Sequence, residues 1–386
     1  MSKIAEIVGR KIMDSREKPT VEVKITTEDG FMGIDSVPSG TSTGSREDKL
    51  VEPDIAINNI NNIIAPQLIG KDVHNQQEID RVMIDMDGTE NKSKLGANAI
   101  LGISLAVART AALRAKMPLF WYINKLFAKI SGQKVAPAIP TPMMVMICGG
   151  RHGKNNLCIQ EFSLLGKMDQ GIKVWQNIEK IIKDRKIEYT IGLEGAFSPN
   201  LQYDEDALDI IFEACNTAGY KNGSDVRIGV DIAGNNCRMQ NSEILNLVRK
   251  YDLYSIEDPF GETDWEKFGQ FKLELEEDNR QFILLGDDLF ATHKNLLQKG
   301  INNLVANAII IKVNQVGTLT ETLEVIALAQ KANYTHVVSH RSGETTDTFI
   351  ADLAVGTAAK FLKSGAPFPR ERVLKYKRLN EIEEEL

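Results

Sequence analysis

The sequence predicts an α/β protein in which a parallel α/β barrel follows a smaller α+β segment. Three observations predict it. Beyond about residue 133, short apolar runs alternate with amphipathic helical segments, the rhythm of repeated strand–helix units. Before that point the chain carries one hairpin pattern and then only helical patterns. Finally, five apolar runs each end in ionisable residues spaced 26, 30, 25 and 28 positions apart, about the length of one strand–loop–helix–loop unit.

Taken in order, PTVEVKITTEDGFMGIDSV (19–37) alternates apolar and polar residues around an Asp-Gly turn and reads as a hairpin. PSGTSTGS (38–45) is a loop by composition. Helical patterns follow at 55–69, 76–86 and 97–116, the last so apolar and Ala-rich that it is expected to be buried. ISGQKVAPAIPTP (130–142), with three prolines and a glycine, reads as a connector, which places an N-terminal α+β domain at 1–132 and the barrel at 133–386. The closing RLNEIEEEL is expected to be an acidic helix with a solvated face.

Composition narrows the function. The 386 residues are 42% hydrophobic and 26% charged, as in an ordinary globular protein. A formal net charge of −7 leaves no global basic surface for nucleic acid or anionic lipid, so an anionic substrate needs local cations or metal ions. The four cysteines (148, 158, 215, 237) form no CxxC pair, which argues for a reducing compartment and against a disulfide framework or a zinc site. The N-terminus lacks a signal-like apolar core, and no run of about 18 apolar residues occurs anywhere, so the expected location is cytoplasmic, with no membrane span.

The strand ends carry the chemistry. RIGVD ends at Asp231, YSIED holds Glu257, ILLGDD holds Asp287, AIIIK ends at Lys312, and HVVSHRS presents His340, Arg341 and Ser342. In a closed barrel these ends converge on one mouth, where barrel active sites lie. A polar residue after a strand is common in itself, since loops are polar; five in register make a pattern. Three converging carboxylates need a cation between them, and an oxygen-only set favours a hard ion such as Mg²⁺ over Zn²⁺. A purely structural network with lysine and arginine is the alternative for Asp231, Glu257 and Asp287. Lys312 beside bound dications is a plausible general base. Arg341 and Ser342 offer a forked cation and a hydroxyl for a phosphate dianion, although Arg341 also suits an ordinary ion pair.

These segments resemble the enolase (phosphopyruvate hydratase) family over essentially the whole chain. The resemblance is carried by DSREKPTVEV (14–23), VPSGTSTG (37–44), DGTENKSKLGANAILGISLAVAR (87–109), IQEF (159–162), SIEDP (255–259), GDDLF (286–290), IKVNQVGTLTET (311–322), VVSHRSGETTDTFIADLAVG (337–356) and IEEEL (382–386). It implies an enolase-type (β/α)8-like barrel whose first strands depart from simple βα order, a homodimer, and two Mg²⁺ ions. The implied reaction is the reversible dehydration of 2-phosphoglycerate to phosphoenolpyruvate. By position, Lys312 is implied as the base at C2 and Glu194 as the acid at the C3 hydroxyl, with Glu161 assisting and Gln160 adjacent. Asp231, Glu257 and Asp287 are implied as ligands of one Mg²⁺, and Ser42 as a ligand of the second. His152 matches a loop histidine closing over substrate. Arg341 and Ser342 are implied to hold the phosphate, His340 to add polar contacts, and Lys363 to hold the carboxylate end and lower the pKa of Lys312.

Glu194 itself sits in IGLEGAFSPN (191–200), a stretch that alone would suggest only a solvated carboxylate. The departures from the family pattern lie close by. The usual DSRGNPT is DSREKPT, NGGSH is CGGRH with Cys148 and Arg151, GDEGG is GLEGA with Leu193 and Ala196, and DVAASEF is DIAGNNC. Glu381 replaces an Arg that usually helps to tie the dimer together. Replacing an aspartate by Leu193 removes a like charge and adds apolar burial, which act on the Glu194 pKa in opposite directions. These departures motivate one competing reading, a catalytically impaired homologue acting as a binding or scaffold protein. Another, a lyase acting on acid sugars, predicts loss of SHRSGE and Lys363, and both are present.

Overall fold

Three antiparallel strands open the chain in this computed structural model, which describes residues 2–40 and 45–386. They are β1 (Ile4–Met13), β2 (Pro19–Thr27) and β3 (Met32–Ser36), in that order across the sheet. The expected hairpin is β2–β3. β1 adds an unforeseen third strand, its alternation interrupted by a register shift between Ile4 and Glu6. Ser42, implied as a ligand of a second cation, lies outside the described residues.

Helices cover one face of this sheet. The single helix expected at 55–69 is instead α1 (Pro53–Asn58), a π-helical stretch (Asn59–Ile64) and α2 (Ala65–Leu68). Within the wider turn, the Asn61 side chain accepts from Gly9 N at 2.7 Å and donates to Gly9 O at 3.2 Å, while Asn59 Nδ2 donates to Leu95 O at 2.8 Å. α3 (Gln76–Asp87), α4 (Ala97–Arg114) and α5 (Leu119–Ser131) follow. α4 is buried on nearly all sides, as its composition requires. A Cβ at Gly102 would stand 2.6 Å from Val23 Cγ2, so glycine lets α4 lie directly on β2. After α5 the proline-bearing stretch runs without regular structure to the first barrel strand.

The remainder closes into an eight-stranded barrel. Its elements are β4 (Thr141–Cys148), β5 (Glu161–Leu165), α6 (Met168–Asp184), the small hairpin β6 (Tyr189–Ile191) and β7 (Phe197–Pro199), α7 (Asp204–Ala218), β8 (Arg227–Asp231), α8 (Asn241–Tyr251), β9 (Ser255–Glu257) and α9 (Trp265–Glu277). There follow β10 (Ile283–Gly286), α10 (Lys294–Asn302), β11 (Ala308–Ile311), α11 (Val313–Val316), α12 (Leu319–Lys331), β12 (Thr335–Ser339), α13 (Phe349–Gly356), β13 (Phe361–Lys363) and α14 (Arg370–Glu385). β13 pairs with β4 to close the ring, and β7 pairs with β4 from outside it. Six of the eight contacts round the ring are parallel, and β5 runs antiparallel to both β4 and β8. The expectation of a parallel barrel thus holds except at β5, where the departure implied for the first strands is found.

Met143, Leu165, Tyr254, Ile283, Leu285, Ala308, Ile310, Val337 and Phe361 pack together inside the barrel. Most lie at the strand ends remote from the mouth, so the lower interior is solid and only the mouth is open. In α14, Leu379 and Ile382 pack into the core while Glu383, Glu384 and Glu385 stay exposed, so the acidic tail presents only one solvated face. Among the described residues, no helix is long and apolar enough to cross a membrane.

Candidate active site

The reversal of β5 brings a second set of residues to the mouth. Asp231 and Glu257 are the last residues of β8 and β9, and pair in register. Asp287 and Lys312 each follow their strand by one position, His340 to Ser342 follow β12, and Lys363 ends β13. Because β5 runs the other way, its first residue, Glu161, pairs in register with Asp231. Gln160 just before it donates from N to Asp231 O at 2.9 Å and from Nε2 to Asp231 Oδ2 at 3.2 Å. One cavity is lined by His152, Gln160, Glu161, Glu194, Asp231, Asp287, Lys312, His340, Arg341, Ser342 and Lys363. Glu257 lies beneath it, fully buried.

Lys363 is the hub of one side. Its Nζ lies 2.7 Å from Glu257 Oε2, 2.9 Å from Glu161 Oε2 and 3.6 Å from Asp231 Oδ2. Burial opposes its charge, yet the three carboxylates hold its pKa well above the ordinary lysine value. Burial and the neighbouring Asp231 push Glu257 well above the usual carboxylate range, and burial also raises Asp231 against the pull of Lys363. Lys312 forms an ion pair with Asp287, whose other oxygen accepts from Gln315 Nε2 at 3.1 Å. Burial, Arg341 and Lys363 all work to lower the Lys312 pKa, as implied for Lys363. Asp287 outweighs them, so the net shift is upward and Lys312 stays protonated. The neutral form is expected beside bound dications; in the free protein Asp287 pairs with the ammonium instead.

Arg341 does make an ion pair. Its Nη1 lies 2.9 Å from Glu47 Oε2 and 2.9 Å from Asn314 Oδ1, and Nη2 lies 3.2 Å from Glu47 Oε1. Glu47 comes from the segment just after the Gly- and Ser-rich loop, so the N-terminal part of the chain forms one wall of the mouth.

Glu194 occupies the turn between β6 and β7 and is 4% exposed, so it is not a solvated carboxylate. Gly195 beside it has φ +82°, and a Cβ there would overlap the Pro369 ring. His340 Nε2 lies 2.9 Å from Glu194 Oε2, and His152 Nδ1 lies 3.8 Å from Oε1 and 2.9 Å from Glu161 Oε1. Burial pushes the Glu194 pKa up, but His340, His152 and Arg372 together hold it well below the usual value. Leu193 does not line the cavity and is 38% exposed; its N–H donates to His152 O at 3.2 Å. Ala196 and Cys148 are buried together, with Cys148 Sγ 3.4 Å from His152 O.

The cysteines correct one expectation. Cys158, in the loop after β4, and Cys237, in the loop after β8, form a disulfide with Cα atoms 5.3 Å apart. They lie 79 residues apart in sequence, so spacing does not reveal the pair; barrel closure brings the loops together. Cys148 and Cys215 are free and buried.

Sequence reading also missed Asp258, Asp288, Glu47 and Arg372. Two groups bring three ligand atoms within 4.8 Å of one another: His152, Glu161 and Glu194, and Asp258, Asp287 and Asp288. Burial and neighbouring carboxylates raise Asp258 well above its usual range and bring Asp288 to about 6. The second acidic residue in both SIED and GDD was the available signal. The strand-end set Asp231, Glu257 and Asp287 fits a hard cation: its donors are all oxygens, and buried Glu257 Oε1 has no hydrogen-bond partner among the described residues.

The comparison with known families agrees with this geometry. Residues 4–123 match the enolase N-terminal domain, and residues 136–245 and 237–386 match the enolase C-terminal TIM barrel domain. With both domains matched along nearly its full length, the chain belongs to the enolase family.

Proposed function

We propose that the protein is a Mg²⁺-dependent lyase that reversibly dehydrates 2-phosphoglycerate to phosphoenolpyruvate, working as a homodimer. One observation carries the reading: a single cavity is lined at once by Lys312, Glu194, the carboxylates Asp231 and Asp287, and the pair Arg341 and Ser342. Lys312 Nζ, once neutral, takes the C2 proton. Glu194, once protonated, gives that proton to the C3 hydroxyl, which leaves as water, and a carbon–carbon double bond forms between C2 and C3. Arg341 and Ser342 orient the phosphate, Lys363 the carboxylate end, and His152 covers the substrate from its loop. Mg²⁺ held by Asp231, Glu257 and Asp287, with a second ion using Ser42, would supply the positive charge that stabilises the substrate carboxylate as its α-proton becomes acidic. Glu161 and Gln160 keep Lys363 and Asp231 in place.

The test follows the ultraviolet absorbance of phosphoenolpyruvate on mixing the protein with 2-phosphoglycerate and Mg²⁺. Turnover is expected to disappear with EDTA and to fall by about 10²–10⁴-fold in Lys312→Ala, the usual range for loss of a general base. A wild-type signal no greater than that of Lys312→Ala would favour the scaffold reading.

A further inference from the structure

Arg372 is the largest side chain in the described structure that is wholly withdrawn from solvent, and the reaction above gives it no part. It stands in the first turn of α14 and lies behind the mouth, against its lining residues His340, Arg341 and Ser342. Its Nη1 lies 2.6 Å from His340 Nδ1 and 2.6 Å from Arg341 O. Its Nη2 donates to Ser342 O at 2.7 Å and lies 3.4 Å from Ser15 Oγ.

A guanidinium has five N–H donors, no accepting lone pair, and a charge that proteins do not remove. A ring nitrogen 2.6 Å from it must therefore accept, so His340 Nδ1 carries no proton. The single proton of the neutral ring is then on Nε2, which faces Glu194 Oε2 at 2.9 Å. Burial and Arg372 both favour that neutral ring, against the pull of Glu194. An oxygen that already faces an N–H cannot also present a proton to it. The carbonyl oxygen of a carboxylic acid is its better acceptor, so an Nε2–H approaching Oε2 at 2.9 Å favours protonated Glu194 with its hydrogen on Oε1, the oxygen on the His152 side.

From these contacts we infer that Arg372 is a positioning residue: it sets the Nε2–H tautomer of His340 and so makes Glu194 Oε1 the oxygen that carries the transferred proton. The second half rests on the dehydration proposed above; the tautomer rests on the contacts alone. In the forward direction the Oε1–H bond breaks as that proton passes to the departing C3 hydroxyl. Water leaves, and the resulting carboxylate is met by His340 Nε2–H. In the reverse direction water returns a proton to Oε1. A residue that merely pinned α14 to the Arg341 and Ser342 carbonyls would place no constraint on the His340 ring.

The experiment reads the ring nitrogens of ¹⁵N-histidine-labelled full-length protein by long-range ¹H–¹⁵N correlation. The chain has only five histidines, so His340→Gln identifies the signal. The expected wild-type spectrum shows His340 with Nδ1 bare and Nε2 protonated. Arg372→Met is expected to lose that pattern, to lower kcat by about 100-fold with KM changed less than about threefold, and to recover about tenfold on adding guanidinium ion. A protonated Nδ1 or an imidazolium in the wild-type spectrum overturns the inference, whether or not Arg372→Met folds. The expected tautomer in a protein that does not turn over 2-phosphoglycerate supports the role of Arg372 on the ring. The same result overturns the assignment of Oε1 as proton donor.

Discussion

Glu194 is held as a carboxylate by two imidazoles and a buried guanidinium, and its neighbour Leu193 faces away from the cavity. An aspartate at 193 would add a negative charge near Glu194 and oppose that hold. Leu193→Asp is therefore expected to raise the Glu194 pKa and move the associated limb of the pH–rate profile to higher pH. Because the side chain is 38% exposed, screening should limit the shift to less than about one unit. Superimposable profiles for the two proteins would refute it. Glu17 is another local departure: it takes the family's glycine position at φ +58°, in the left-handed region, where a side chain costs about 1 kcal/mol or more. The loop tolerates it because Asp14 Oδ1 accepts from both Arg16 N at 2.8 Å and Lys18 N at 3.0 Å.

At the scale of elements, β12 carries a buried titratable group outside the site. Burial lowers the His336 pKa from 6.5 to about 4, and its Nε2 contacts Thr357 Oγ1 at 3.3 Å. The unfolded chain takes up a proton there as pH falls through 6.5, while the folded chain waits until about 4. The resulting stability is therefore complete above pH 6.5 and is lost between there and 4, by about 3 kcal/mol at most. Denaturant midpoints measured across that window should fall less in His336→Gln than in the wild type. Elements also explain what was legible in advance. The parallel strands announced themselves, because each apolar run ended in an ionisable residue. β5 did not: in an antiparallel strand Glu161 comes before the apolar run, so a search of strand ends passes it by, and only the resemblance to IQEF pointed to it. β1 was hidden by the irregularity near Ile4 that breaks its two-residue period. The helix at 55–69 was legible as helical, but its π-helical interior depends on Asn61 meeting Gly9, a contact 52 residues distant in sequence.

Across the whole molecule, the Cys158–Cys237 bond ties the His152 loop to the loop that follows Asp231. It joins positions 79 apart in sequence and so closes a loop that holds β5, α6, β6, β7, α7 and β8. Reduction releases that constraint on the unfolded chain and is expected to lower stability by about 2–4 kcal/mol. Guanidinium denaturation with and without dithiothreitol, alongside Cys158→Ser, measures it; an unchanged midpoint after verified reduction would contradict it. The same two loops border a mouth whose charges do not balance. Among the described residues, seven carboxylates line the cavity against three lysine and arginine side chains. An anion meets net repulsion there unless positive charge enters with it. On the proposed function, occupancy by a dication and occupancy by a phosphorylated acid would be thermodynamically linked, each tightening the other by the same factor. The free protein's own pairs, Lys312 with Asp287 and Arg341 with Glu47, would then be the partners exchanged when both arrive.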